Sequence, residues 1–112
     1  MVIVGYGDIG AACAKVAKEG FGMKVTGLKR RPESVPEEQR AYCQEIVGND
    51  QLDRVLGEAD FVLAVLPRVP TGDTDNFFTM ESTFSKMKKT GIFMNIGRGT
   101  CVNEDDLVTA LQ

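Results

Sequence analysis

The sequence predicts an α/β domain built on an open, doubly wound parallel sheet of five strands in the order 3-2-1-4-5. Three observations lead there. Met1–Val4 is an apolar run that enters Gly5-Tyr6-Gly7-Asp8-Ile9-Gly10 directly. Met1–Val4 and Phe61–Leu66 are apolar on every residue, which suits central strands covered on both faces. Short apolar segments then alternate with helix-period or turn-rich stretches along the chain, giving the order βαβαβαβαβα, in which right-handed crossovers produce a parallel sheet.

The elements follow in order. After the first strand, Ile9, Cys13, Val16 and Ala17 recur at helical spacing, with Ala12 beside them, and predict an amphipathic helix over about 9–18. Gly20 is expected to end it and Gly22 to turn the chain back. Met23–Leu28 reads as the second strand, and Lys29-Arg30-Arg31-Pro32 stands at its C-terminal end. Pro36 at a first helical position, with Glu37 and Glu38 behind it, predicts a short helix to Tyr42 or Cys43. Glu45–Val47 reads as the third strand. Leu52, Val55, Leu56 and Ala59 form a second helical stripe, with Asn49 or Asp50 as N-cap. Phe61–Leu66 is the fourth strand, closed by Pro67, and Arg68–Asn76 is a polar loop. Met80–Met87 reads as a helix with Phe84 and Met87 inward. Ile92–Ile96 is the fifth strand, and Gly97-Arg98-Gly99 a tight turn. A last helix is expected from Asn103, with Asp106 as capping partner and Leu107, Ala110 and Leu111 on its apolar face.

Composition narrows the function. The 112 residues carry a net charge of −3, so no global basic field attracts nucleic acid or an anionic membrane. No apolar run is long enough to span a bilayer. Cys13, Cys43 and Cys101 are odd in number, widely spaced and accompanied by no histidine, which predicts free thiols in a reducing compartment and no metal site. Lys15, Lys18, Lys86, Lys88 and Lys89 read as solvated faces.

The glycine turn points to a dinucleotide. Gly5 permits the sharp exit from the strand, Gly7 lets backbone approach a pyrophosphate, and Gly10 lets the helix pack on the sheet. Tyr6, Asp8 and Ile9 complete the expected contact set, with amides around Gly7, Asp8 and Ile9 aimed at phosphate and aided by the positive helix end. NAD-specific sites place an acidic residue at the end of the second strand. Here Lys29, Arg30 and Arg31 stand there instead. A 2′-phosphate carries roughly −1.5 to −2 charges, by analogy with phosphorylated side chains, and arginine grips it with forked hydrogen bonds. The expected cofactor is therefore NADP or NAD, with NADP favoured.

Phe84–Leu111, containing Asn95-Ile96-Gly97-Arg98-Gly99, resembles the D-isomer-specific 2-hydroxyacid dehydrogenases. The opening GYGDIG, the FGMKV of the second strand and ADFVLAVLP at Ala59–Pro67 fit the same family. The resemblance implies a Rossmann-type nucleotide-binding domain of an enzyme that moves hydride between a nicotinamide and a 2-oxo or 2-hydroxy acid. It implies that Arg98 binds the substrate carboxylate and polarises the carbonyl. It also implies that Leu66 and Pro67 line the adenosine and ribose pocket, and that Ile96 and Gly97 lie near the nicotinamide. The family's Thr-Pro-x-Thr loop is replaced by a longer RVPTGDTDN, with Val69 at the first threonine position and Thr71 or Thr74 as substitutes. The family's catalytic histidine and orienting glutamate are expected downstream of Arg98.

Residues 1–112 are thus expected to be part of an NAD(P)-binding domain, inactive alone, with a separate substrate domain in the parent protein. The expected partners are a small 2-oxo or 2-hydroxy acid and a second copy of the chain as a homodimer, in the cytoplasm, with neither nucleic acid nor membrane. The apolar fifth strand, left at a sheet edge, is expected to drive self-association. The alternative reading is a non-catalytic Rossmann module that senses dinucleotide or binds proteins, as corepressor relatives of the family do.

Overall fold

The computed structural model describes all 112 residues. Five parallel strands form one sheet: β1 (Val2–Val4), β2 (Thr26–Leu28), β3 (Glu45–Val47), β4 (Phe61–Ala64) and β5 (Ile92–Asn95). Their order is β3-β2-β1-β4-β5, the expected one. The register aligns Val4 with Leu28 on one side and with Ala64 on the other. The C-terminal ends of the three central strands therefore finish level, and the loops leaving them share one edge.

Alternation along β1 divides the core. Val2 and Val4 face a cluster containing Leu56, Phe78 and Phe84, and Ile3 faces another containing Tyr6, Ala14 and Val25. Helix α1 (Asp8–Phe21) covers the second face, and α3 (Leu52–Glu58) the first. The α3 stripe matches expectation, with Val55, Leu56 and Ala59 buried and Leu52 packed beside them. A 3₁₀ turn at Asn49–Gln51 precedes it, so Gln51 is the N-cap and neither Asn49 nor Asp50 caps by side chain.

Helix α1 corrects the expected face. Ala11, Ala14 and Ala17 are buried, whereas Ile9 and Val16 are 64% and 59% exposed. The cause is distance. A Cβ on Gly10 would lie 3.1 Å from the Ile3 side chain, so the sheet admits only small residues on this helix. The helix also passes through Gly20 to Phe21 and stops at Gly22, whose φ of 66° turns the chain so that the Met23 amide reaches back to the Ala17 carbonyl.

Elsewhere the polar segments shorten the expected helices. Helix α2 is a single turn, Glu37–Arg40, with Pro36 as N-cap, and a 3₁₀ turn at Pro32–Ser34 precedes it. The expected helix at Met80–Met87 is a chain of turns with a 3₁₀ turn at Phe84–Lys86. Its hydroxyls compete with the helical pattern: Thr83 donates to the Thr79 carbonyl, and Thr79 Oγ1 accepts from the Ser82 amide. Phe84 still packs inward, edge-on to Phe93. Helix α4 (Glu104–Ala110) is capped by Asn103, which accepts from the Asp106 amide at 3.1 Å. The Asp106 carboxylate does not close the capping box; it accepts from the Met80 amide at 2.9 Å. Only Leu107 of the expected α4 face packs, and Leu111 is exposed.

Candidate dinucleotide site

The chain leaves β1 by a turn whose first amides are already used. Gly5 and Tyr6 both donate to the Leu28 carbonyl, and Gly7 donates to Gly5. Gly5 holds φ at 97°, and a Cβ there would lie 2.9 Å from the Val65 carbonyl oxygen. Glycine is thus dictated by the protein at this position. Gly10 is tightly placed too: a Cβ there would require Ile3 to give way by a few tenths of an ångström.

Gly7 differs. Nothing lies within 4 Å of the position its Cβ would take, and its backbone is extended. It caps α1 without a side-chain hydrogen bond. The amides of Asp8, Ile9 and Gly10 therefore open the helix with no acceptor in the chain, as first-turn amides do. The donor set falls one residue later than the sequence reading placed it, because the Gly7 amide is spent on Gly5. A bare backbone beside three unpartnered amides at a positive helix end fits a bound anion such as a pyrophosphate.

Asp8 is turned aside, accepting at 2.8 Å from Gln39 of α2. Tyr6 departs from the expected contact set. Its ring is fully buried, its amide is used and its hydroxyl donates to the Gln39 carbonyl at 2.6 Å. It serves packing, and it explains Gly27 in β2, where a Cβ would lie 2.9 Å from the ring. Burial holds the Tyr6 phenol well above its usual range, and burial likewise pushes the neighbouring Cys43 thiol up.

At the end of β2, Lys29 is half-buried while Arg30 and Arg31 are exposed. The loop that carries them is braced from α2. Arg40 donates to the carbonyls of Val35 and Pro32, and Ser34 donates to the Arg31 carbonyl. Arg40 and Gln39 were absent from the sequence reading. Their only signal was position, at the end of the short helix that follows the basic loop.

After β4, Leu66 is half-buried and Pro67 exposed. Thr74 donates to the Pro67 carbonyl at 2.5 Å, so its hydroxyl is engaged within the loop. After β5, the Arg98 turn is pinned from three sides. Asn95 donates to the Arg98 carbonyl at 3.3 Å and accepts from the Gly97 amide at 3.0 Å. The Cys101 thiol, buried and thereby held above its usual pKa, donates to the same carbonyl at 2.9 Å. A Cβ on Gly97 would lie 2.7 Å from the Leu66 carbonyl oxygen, so this turn seats directly on the loop after β4. Ile96 is exposed, and the Arg98 guanidinium is exposed with no carboxylate within ion-pair distance. A polar hollow of about 360 Å³ lies beside the turn, lined by Asp75, Asn76, Gly99 and Thr100. A larger cavity of about 500 Å³ sits at the opposite end of the strands, around Met1, Met23 and Asp60, away from all of these groups.

No group of three or more histidine, cysteine or carboxylate residues is placed to hold a metal ion, and all three cysteines are free. No helix is long and apolar enough to cross a membrane.

Comparison with known proteins places this geometry. The family described as D-isomer specific 2-hydroxyacid dehydrogenase, NAD binding domain, matches residues 1–112. Glyoxylate/hydroxypyruvate reductase B of Cronobacter sakazakii is 43% identical over 112 residues, covering 98% of this chain and 32% of the relative. The chain thus spans about a third of the length of that relative. Among solved structures, a D-isomer specific 2-hydroxyacid dehydrogenase from Lactobacillus delbrueckii in its NAD-complexed form superposes with a TM-score of 0.81 at 30% identity, covering 99% of this chain and 31% of that one. The NADPH-dependent glyoxylate/hydroxypyruvate reductase of Sinorhizobium meliloti, in complex with NADP and sulfate, gives 0.80 at 30%, covering 98% and 33%. The strand order, the glycine turn and the Asn95–Gly99 element converge with these matches: the chain belongs to the D-isomer specific 2-hydroxyacid dehydrogenase family, as its NAD binding domain.

Proposed function

We propose that this chain is the coenzyme-binding part of a longer oxidoreductase acting on a 2-oxo or 2-hydroxy acid of the glyoxylate and hydroxypyruvate kind, with NADP preferred over NAD. The bound nicotinamide supplies the hydride. The chain's own residues bind and orient. The amides of Asp8, Ile9 and Gly10 take the pyrophosphate, with Gly7 leaving room for it. Leu66 and Pro67 line the adenosine side, and Ile96 and Gly97 border the nicotinamide. Arg98 holds the substrate carboxylate and stabilises negative charge developing on the carbonyl oxygen. Its exposed, unpaired guanidinium supports that role. The parent works as a homodimer in the cytoplasm, where three free thiols persist.

The observation that carries the reading is the first turn of α1, with three donors lacking any acceptor beside an open glycine. The cofactor preference rests on Arg30 and Arg31, exposed where an NAD-specific site has an acid. Titration with NADPH and NADH by fluorescence or calorimetry, at low and high salt, tests both. NADPH is expected to bind more tightly, with the larger salt dependence. Equal affinities remove the NADP preference. Absence of binding by either removes the coenzyme role.

A further inference from the structure

We propose that Asp73, in the loop after β4, is a specificity-determining residue for the coenzyme: it competes with the adenosine 2′-phosphate for Arg30. This rests on the NADP reading above and names the residue that opposes it. Arg30 Nη1 lies 3.8 Å from Asp73 Oδ2. Arg30 follows β2 and Asp73 follows β4, and β1 lies between those strands. Adjacent strands are about 4.8 Å apart, so the two chain exits stand about 10 Å from each other. The ion pair therefore bridges the end of β1, where the glycine turn leaves the sheet.

The loop is shaped to present Asp73 there. Gly72, at φ 75°, donates to the Val69 carbonyl, and Asp75 donates back to Gly72. Thr74 ties the tip to Pro67. Asn76, at φ 52°, anchors the end of the loop through its amide to the Thr100 carbonyl. The other acid of the loop, Asp75, pairs with Arg68 at 3.7 Å, leaving Asp73 as the carboxylate that reaches the basic cluster. Lys29 and Arg31 make no ion pair, so Arg30 alone is contested. The Arg30 and Asp73 side chains are 81% and 59% exposed. Water and salt screen such a pair, which makes it displaceable. A 2′-phosphate brings more charge and a forked geometry, so it displaces the carboxylate at a cost that NAD, lacking that group, never meets.

The test is a double-mutant cycle on this chain: wild type, Asp73→Asn, Arg30→Gln and the double variant, each titrated with NADPH and with NADH at two salt concentrations. Asp73→Asn is expected to tighten NADPH by about two- to fivefold, the range an exposed ion pair supplies, and to leave NADH unchanged. The gain is expected to shrink at high salt and to vanish in the Arg30→Gln background. Both side chains are exposed, and melting temperatures check that the variants fold. An unchanged NADPH affinity in Asp73→Asn overturns the proposal. So does equal tightening of NADH, or a gain that persists without Arg30, since either reports a general field. If Arg30→Gln weakens NADPH while Asp73→Asn is silent, the role of Asp73 falls and the NADP reading stands. If wild type shows no preference and Arg30→Gln changes nothing, the NADP reading falls and takes this proposal with it.

Discussion

Three glycines of one sequence pattern do different work, and a single methyl group separates them. Gly5 is enforced by neighbouring backbone and its positive φ, Gly10 is crowded by the Ile3 side chain, and Gly7 faces open space. Gly97 stands with Gly5, against the Leu66 backbone. Two substitutions therefore behave in opposite ways. Gly97→Ala is expected to lower stability by about 1–3 kcal/mol, because neither backbone can yield without moving a strand end. Gly7→Ala is expected to change stability by no more than about 1 kcal/mol. It is also expected to weaken both NADH and NADPH by about tenfold or more, since about 1.4 kcal/mol of crowding suffices for that factor. Thermal melts and coenzyme titrations of the two variants check this; an unfolded Gly7→Ala would show that the glycine serves the fold instead. The motif was legible at this scale because its spacing is fixed. Tyr6 was misread because the motif says nothing of side chains at its variable positions, and this one points into the core under Gly27.

Among the elements, strands were legible and helix faces less so. All five strands fall inside the expected segments, since a run of branched and aromatic residues has few other stable uses. The face of α1 was misjudged because hydropathy ranks Ile9 and Val16 above alanine, while the approach to the sheet favours the smaller residue. The 80–87 segment fails as a helix because its hydroxyls satisfy nearby backbone first. Helix α4 has the opposite balance. It is short, it packs mainly through Leu107, and its one side-chain cap is Asn103. Asn103→Ala is expected to cost about 1 kcal/mol, a fall of about 4–8 °C in melting temperature for a domain near this size. Hydrogen exchange is expected to show the loss concentrated in residues 104–110. An unchanged exchange rate there would place the helix's support in tertiary packing rather than in the cap.

For the whole molecule, the two sheet edges are unequal. On the β3 side, Glu45 is held by Arg54, which also pairs with Glu58; the arginine keeps the Glu45 carboxyl below its usual range. Charged groups of this kind discourage pairing with another chain. The β5 edge carries no charge in Ile92–Asn95, and Ile92 and Ile96 are about half exposed. On α1, Ile9 and Val16, seven residues apart and so on one side of the helix, are also exposed. Light scattering over a concentration series is expected to show self-association of this chain, reduced by Ile92→Lys. A monodisperse wild-type monomer at high concentration would contradict this.

The sequence by itself determined the order of elements, the parallel sheet and the place of the glycine turn. Each of these follows from local spacing: a period of 3.6, a glycine at a set offset, an apolar run of a set length. Only the tertiary structure decided which amides of the turn stay unpartnered, that Tyr6 belongs to the core, and that Asn95 and Cys101 pin Arg98. It alone brought Asp73 to Arg30 across the end of β1. Those outcomes depend on which groups from distant parts of the chain meet, and a hydrogen bond or a steric contact is settled over a few ångströms that sequence separation does not encode.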